Sequence, residues 1–321
     1  MSAPLLERAV GLALRAPSVH NSQPWRWRLR RAEVELHTDP SRHLPETDPD
    51  RRDLVISCGA ALHHLRVALA GLGVAVEVDV VPDAENSRHL ATVRCVDGPP
   101  DRSAAALFGQ ISRRHTDRRR YSAEPVPAVR LTGLVTWAQG FGVSAHPVTD
   151  PGVLQRTNEV LRFAAREQRR EPGYLAELLL WTHRYAAAHD GVPPLAVPMR
   201  TGQWDVPHLQ RFPSGTLAPG QDTGPDGGTL VALTTPEDDT AARLAAGEAT
   251  SAVLLHATRV GLATAPLSQA VEQPVARRRL RVALGVPDQP QIVIRLGVPL
   301  PGAPPLAPTP RRPLASVLLR P

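Results

Sequence analysis

The sequence contains no lysine and only two cysteines, and both shortages limit what the protein can be. All 37 basic residues are arginines, and against 31 acidic residues they leave a formal net charge of +6. This excess is small and acids are interleaved with the arginines, so basicity alone is a weak indication of nucleic-acid binding. Cys58 and Cys95 have neither a CxxC partner nor a metal-ligand spacing. The absence of both patterns argues against a disulfide framework and against a zinc site.

Long apolar runs are also missing. No uninterrupted apolar stretch has transmembrane length, and the first residues lack the apolar core of a signal peptide. The apolar content of 42% is normal for a globular protein, and 321 residues suffice for one large or two ordinary domains. We therefore expect a cytoplasmic protein that binds neither membrane nor nucleic acid.

Several catalytic and nucleotide-binding motifs are absent. The glycine-rich stretch at 215–220 lacks the strand-to-helix context of a phosphate-binding loop, and no GxSxG occurs. His63 and His64 are adjacent, so a helix points them to different faces. We predict no metal site and no catalytic residue of the acid, base or nucleophile type.

Hydrophobic periodicity predicts alternating helices and strands. Helices are predicted over residues 5–15, 54–72, 104–112, 129–138, 153–171, 174–189, 238–261 and 274–285. Strands are predicted over 25–29, 34–37, 74–81, 90–96, 141–147, 229–233 and 291–296. Between them, residues 190–226 form a long segment rich in proline and glycine. Loops of this length are usually functional or disordered, and both readings stay open.

An internal repeat is visible in two of the predicted helices. Gly59 and Gly73 have the same separation as Gly247 and Gly261, and apolar positions match between the pairs. The pattern indicates two copies of one α+β unit joined near residue 100.

Residues 113–121 read RRHTDRRRY, an unusual density of arginine. Such a cluster forms a solvated charged face, a nucleic-acid patch, or a site for one compact anion such as phosphate. Arginine suits the last role because its planar fork donates parallel hydrogen bonds to phosphate oxygens. By default, Arg119 and Arg120 are read as surface charge.

Four stretches together resemble a known family. APSVHNSQPWRW at 16–27, RRHTDRRRYSAEPVP at 113–127, GLATAPLSQ at 261–269 and RRP at 311–313 occur in the order found in the nitroreductase superfamily of FMN-dependent enzymes. The HN before SQPW, the duplication and the long insertion are most similar to its Acg-like actinobacterial branch.

The resemblance implies an α+β fold of two fused nitroreductase-like units, a pseudo-dimer in one chain, each with a mixed or antiparallel sheet flanked by helices. Residues 1–100 would form the first half, and residues 104–321 the second, with a lid-like insertion at about 190–226. In ordinary members two identical chains bind a flavin at each of two interface sites. Here the APS loop (residues 16–25) occurs only in the first half, and the other motifs only in the second. We therefore expect one FMN per chain and a monomer, with a homodimer as the alternative.

The resemblance also assigns contacts to FMN. The ribityl chain and phosphate would be held by Arg114, His115, Thr116 and Arg118, and one of Arg311 and Arg312 would reach the phosphate or the pyrimidine edge. In the other half, the residues expected to border the isoalloxazine ring are Pro17, Ser18 and Asn21. The face and the N5 edge of that ring would be covered by Pro266, Leu267, Ser268 and Gln269. His20 is a further candidate, whereas Gln23, Trp25 and Trp27 are expected to be structural.

Two functions follow from the resemblance. One is an FMN oxidoreductase that carries electrons from NAD(P)H to a nitro, quinone or related acceptor. The other is a protein that sequesters FMN beneath its lid with little turnover. A third reading, nucleic-acid binding through the arginines, lacks interleaved aromatic residues.

Overall fold

The computed structural model describes residues 2–83, 85–199, 211–213, 215–218 and 225–319. Its strands are β1 (Trp25–Leu29), β2 (Glu33–Thr38), β3 (Ala75–Val80), β4 (His89–Val96), β5 (Ser144–Val148), β6 (Thr229–Thr235), β7 (Ala263–Leu267) and β8 (Gln289–Gly297). Its helices are α1 (Ala3–Ala13), α2 (Arg52–Gly71), α3 (Arg102–Ala105), α4 (Ala128–Gln139), α5 (Pro151–Arg170), α6 (Pro172–Thr182), α7 (Thr240–Arg259), α8 (Gln269–Glu272), α9 (Pro274–Leu284) and α10 (Leu314–Val317).

The two halves have the same topology. Each contains a four-stranded sheet, in the order β1-β2-β4-β3 in the first half and β5-β6-β8-β7 in the second. Every neighbouring pair is antiparallel. A long helix, α2 or α7, joins the second strand to the third in each half. The predicted α+β class of two fused units is therefore confirmed.

The two long helices pack against each other at the centre of the protein. Each ends just before a glycine with a left-handed backbone, Gly73 at φ 81° and Gly261 at φ 78°. Helix α2 is long and apolar enough to cross a membrane, but 89% of its most apolar window is buried inside the protein. Its apolar character is therefore that of a central core helix shared by both halves.

Some elements differ from the sequence prediction. The expected helix at 104–112 is only α3 followed by a 3-10 turn at Phe108–Gln110, and the one at 174–189 ends at Thr182. Strand β7 was not predicted separately, since Pro266 interrupts its pattern. It lies at a sheet edge, where a residue that cannot donate to the ladder is tolerated.

The halves exchange segments. Leu107, Ile111 and Val317 pack in the first-half core although they follow residue 100. After α10, the backbone N–H of Leu319 donates to the carbonyl of Trp27 on β1 at 2.7 Å. The C-terminal segment thus extends the first sheet, and residues on both sides of position 100 share one hydrophobic core.

Candidate functional site

Two adjoining cavities lie between the halves. The first, here the arginine cavity, is lined mainly by residues of the APS loop, the 113–118 stretch and the C-terminal segment: Arg15, Pro17, Ser18, Asn21, Arg114, His115, Thr116, Arg118, Thr309 and Arg311. The second, here the inner cavity, is lined by Pro17, Ser18, His20, Asp53, Ser57, Thr116, Arg118, Arg211, Phe212, Thr250, Pro266, Leu267, Ser268 and Gln269. Pro17, Ser18, Thr116 and Arg118 line both cavities, so the two cavities adjoin.

All the residues predicted to contact FMN line one of these cavities, except Arg312. The Arg312 guanidinium forms an ion pair with Asp39 at 3.2 Å and donates to the carbonyl of Gln23 at 3.1 Å. Arg312 therefore fixes the C-terminal segment to the first half, and of the RRP pair it is Arg311 that faces the arginine cavity.

The arginine cavity concentrates positive charge that no carboxylate of the described residues neutralises. Arg114 is 7% exposed, and within the described residues its Nε and Nη1 have no hydrogen-bond acceptor. Burial lowers the pKa of Arg114 and of Arg118 to about 10, and that of Arg311 to about 9. In the described part of the chain no carboxylate pairs with any of these three. Buried charges require a counter-charge, so the arrangement is suited to an anion.

The APS loop is held in a strained conformation. His20, Asn21 and Gln23 all have left-handed backbones, with φ of 47°, 55° and 53°. Such residues are uncommon outside glycine and cluster at functional sites. Asn21 Nδ2 donates to the carbonyls of Gly191 at 2.9 Å and Pro310 at 3.0 Å. The start of the insertion and the C-terminal segment thus clamp this loop against the cavity.

His20 is a buried, neutral side chain at the inner cavity. It is 4% exposed, and neither ring nitrogen has a partner among the described residues. Desolvation, with Arg211 and Arg118 nearby, holds its pKa well below the usual value. The Phe212 ring meets the His20 ring edge-on at 5.6 Å between centroids, and the Arg118 guanidinium lies 4.9 Å from the Phe212 ring. Part of the long insertion therefore closes one side of the inner cavity.

Another wall of the inner cavity comes from the end of β7 and from the start of α8. The Ser268 hydroxyl donates to Glu272 at 2.6 Å, and Gln269 donates to Gln168 at 2.9 Å. Glu272 is also ion-paired with Arg211 at 2.6 Å. These contacts fix the predicted 266–269 segment to both α5 and the insertion. Nothing in the sequence spacing signalled Arg211, Glu272 or Asp53, because they meet only in the fold.

One sequence interpretation is wrong. Arg119 is not surface charge: it is 5% exposed, and its Nε and Nη2 donate to the two carboxylate oxygens of Asp117 at 2.9 and 2.8 Å. Its charge is therefore neutralised internally. The expected structural residues Trp25 and Trp27 are fully buried. His63 and His64 share Ser251 Oγ across the α2–α7 seam, at 2.7 and 2.8 Å.

A second polar cluster, not foreseen from sequence, lies on the first sheet. Glu35, His37 and His89 bring three ligand-type atoms within 4.8 Å of one another. However, Glu35 already accepts hydrogen bonds from Arg28 at 2.8 Å and Arg30 at 2.6 Å. Two guanidinium groups satisfy this carboxylate and oppose a bound cation, so the cluster is an ion-pair network.

Comparison with known proteins places the chain in a family. No protein-family model matches it. The Mycobacterium tuberculosis protein named "Putative NAD(P)H nitroreductase Rv3131" is 40% identical over 96% of this chain and 89% of its own. From the same organism, "Putative NAD(P)H nitroreductase acg" is 32% identical over 98% of this chain and 95% of its own.

Solved structures are more distant. FMN-dependent nitroreductase NfnB from Mycobacterium smegmatis, in complex with NADPH, aligns at a TM-score of 0.44 and 17% identity, over 66% of this chain and 96% of that one. A nitroreductase with bound FMN from Bacteroides fragilis aligns at 0.40 and 18%, over 62% and 90%. At these scores the likeness carries no weight, and the assignment depends on the full-length relatives. By that similarity, the chain belongs to the nitroreductase superfamily, in the branch that includes acg.

Proposed function

We propose that the protein binds one FMN between its halves and works as an NAD(P)H-dependent flavin oxidoreductase. The observation that carries this proposal is the buried guanidinium of Arg114, which faces the arginine cavity with two N–H groups unpartnered among the described residues. A phosphate dianion supplies the acceptor oxygens that this group lacks. Each charge-assisted hydrogen bond contributes about 1.5–3 kcal/mol.

The remaining contacts fit the rest of FMN. Arg118 and Thr116 line both cavities, so they mark the passage from the phosphate end to the ring end. The inner cavity would take the isoalloxazine, with Pro17 and Ser18 on one side and residues 266–269 on the other. FMN, when bound, supplies hydride and electron transfer, while the protein orients it and sets its electrostatics. The relatives' names support NAD(P)H as donor and a nitro or related compound as acceptor.

A single site per chain is proposed because the second copy of the repeat lacks a matching loop. Residues 14–24 join α1 to β1, whereas only residues 140–143 join α4 to β5. At the shorter loop, the Phe141 ring packs against the His63 ring at 5.2 Å, and the Arg66 guanidinium lies 5.4 Å from Phe141. Arg66 is in turn paired with buried Glu248 at 2.7 Å. A cavity lies at this place, lined by His63, Arg66, Trp137 and Phe141 among others, but no counterpart of the APS loop is among its lining residues. A cytoplasmic monomer remains our expectation.

Titration with FMN tests the proposal. Purified, flavin-stripped protein is mixed with increasing FMN, and bound flavin is followed by its visible absorption and quenched fluorescence. We expect saturation at one FMN per chain. Saturation at two would contradict the single site, and no binding would contradict the function.

Sequestration of FMN is the second candidate function, and the position of Phe212 favours it. Phe212 is 8% exposed at the inner cavity, between His20 and Arg118, where it hinders access by bulky acceptors. A lid that rarely opens stores a cofactor, whereas one that opens supports turnover. The two functions, sequestration and turnover, are separated by the rate at which NADPH bleaches the absorption of bound flavin in stopped flow. The rate is measured before and after residues 200–210 are replaced by a short flexible linker. Slow bleaching that the replacement accelerates supports sequestration; fast bleaching in both forms supports the oxidoreductase.

A further inference from the structure

Three carboxyl groups are buried beside the inner cavity. Asp48, Asp53 and Glu272 are 1%, 4% and 3% exposed. Arg211 pairs with Glu272 at 2.6 Å. The other buried arginine nearby, Arg52, is bound to Asp238 and to Gln291. Three negative charges buried this close together are unfavourable even with Arg211 and Arg118 at the same cavity, so at least one carboxyl group holds a proton.

Two of the three carboxyl groups have partners suited to a negative charge. Glu272 accepts from the Ser268 hydroxyl and from Gln168, besides its ion pair with Arg211. Asp48 accepts two backbone N–H groups at the start of α2, those of Asp53 at 3.0 Å and Leu54 at 2.8 Å. Such donors and the helix dipole favour a carboxylate. Burial and then the charge of Asp53 nevertheless raise the pKa of Asp48 to about 9, but Asp48 is not among the residues that line the inner cavity.

Asp53 has less support of this kind. It lines the inner cavity, and its Oδ2 is buried without a hydrogen-bond partner in the described part of the structure. Burial, and after it the nearby charge of Glu272, raises the pKa of Asp53 to about 7. Arg211, the Ser268 hydrogen bond and Arg52 lower this pKa, but they do not outweigh burial. Asp50, a neighbouring acid before α2, lies at the surface and is paired with Arg277 at 3.3 Å.

We propose that Asp53 is a protonated carboxylic acid at the inner cavity and donates its proton to the oxygen of a quinone-type acceptor. This inference rests on the proposed function, which supplies the hydride. In the step, the acceptor receives a hydride and the proton of Asp53: the O–H bond of the carboxyl group breaks, and an O–H bond forms on the acceptor. The quinone becomes a hydroquinone, and Asp53, left as a carboxylate, recovers its proton from water.

Infrared spectroscopy tests the proton on Asp53 without any turnover. The wild-type protein is expected to show the C=O stretch of a protonated carboxyl group at pH 5.5, lost in part as the pH rises through about 7. Asp53→Asn is expected to abolish the part of the band that is lost near pH 7, whereas Asp48→Asn is expected to remove only a part that persists to about pH 9. Survival of the part lost near pH 7 in Asp53→Asn would overturn the inference. A wild-type band that shows no loss near pH 7 would also overturn it, even if a variant fails to fold.

Kinetics test the donation. NADPH reduction and benzoquinone reoxidation of the bound flavin are measured separately by stopped flow. In Asp53→Asn, the ratio of reoxidation to reduction rates is expected to fall by about 10²–10⁴-fold, the usual contribution of a general acid. Glu248→Gln, which removes another buried acid remote from the cavity, is expected to leave the ratio unchanged. An unchanged ratio in Asp53→Asn overturns this inference alone, whereas failure to bind flavin overturns the proposed function and leaves the infrared result intact.

Discussion

Gly59 and Gly247 lie against each other where α2 crosses α7. A Cβ atom on Gly247 would stand 2.8 Å from Cα of Gly59 and 2.1 Å from the carbonyl oxygen of Ile56, and one on Gly59 would stand 2.1 Å from the carbonyl oxygen of Leu244. The two glycines hold the same place in the two copies of the repeat. Their close approach fixes the seam beside the inner cavity, whose lining includes Ser57 on α2 and Thr250 on α7.

Gly247→Ala is therefore expected to destabilise the protein strongly. The new methyl group meets backbone atoms, which cannot turn aside as a side chain can, so the helices must separate. We expect a loss of about 3 kcal/mol or more in the free energy of unfolding, measured by urea denaturation.

The matched control is Gly11→Ala, in α1. A Cβ atom there meets nothing within 4 Å. Alanine in an open helical position is expected to be neutral or to stabilise by about 0.5–1 kcal/mol. Equal effects of the two substitutions would show that the α2–α7 approach is not tight.

Local patterns account for what was visible in the sequence. The repeat was detectable because the close contact of the two helix backbones requires glycine at both Gly59 and Gly247. The arginine stretch was detectable because a high density of charge is visible in the sequence composition. Strand β7 was missed because Pro266 hides an edge strand. Arg119 was misread as surface charge because the sequence does not show that Arg119 and its partner Asp117 are buried. Only the fold buries both side chains. Asp53, Arg211 and Glu272 come from three distant segments, so no spacing rule connects them.

Glu35 provides a test of the first-sheet ion-pair network. Burial alone would raise the pKa of Glu35, but hydrogen bonds from Arg30, His37 and Arg28 outweigh it and lower the pKa to about 2. A lowered carboxyl pKa stabilises the fold above the unfolded pKa of about 4.3, and this stability is lost as the pH falls towards 2. At pH 7 we expect Glu35→Gln to cost about 1–3 kcal/mol, with the difference shrinking between pH 4.5 and 2.

Urea denaturation across that pH range measures the effect. Glu33→Gln serves as the control because Glu33 pairs with Arg94 on the surface, at 3.1 Å. Exposed pairs contribute about 0–1 kcal/mol. A cost for Glu35→Gln that stays constant from pH 7 to pH 2 would exclude the network as its source.

Phe212 is expected to control access to the inner cavity. Phe212→Ala removes the ring that meets His20 and Arg118. We expect faster bleaching of bound FMN by NADPH and faster exchange of FMN with free flavin, both followed by stopped-flow absorption.

Tyr185→Ala is the control for this substitution. Tyr185 is an aromatic residue near the start of the insertion, but it is 70% exposed. Bleaching and exchange are expected to stay at wild-type rates in this variant. Identical rates in Phe212→Ala and Tyr185→Ala would mean that Phe212 does not cover the cofactor.

The most direct test of the account is the ratio of FMN to riboflavin affinity, since the two ligands differ only by the phosphate. Titrations are compared for wild-type protein, Arg114→Ala and the exposed control Arg113→Ala. We predict that wild-type protein and Arg113→Ala prefer FMN equally, and that Arg114→Ala reduces this preference about 10–100-fold while changing riboflavin affinity little. A preference for FMN that survives in Arg114→Ala would contradict a phosphate held at the arginine cavity.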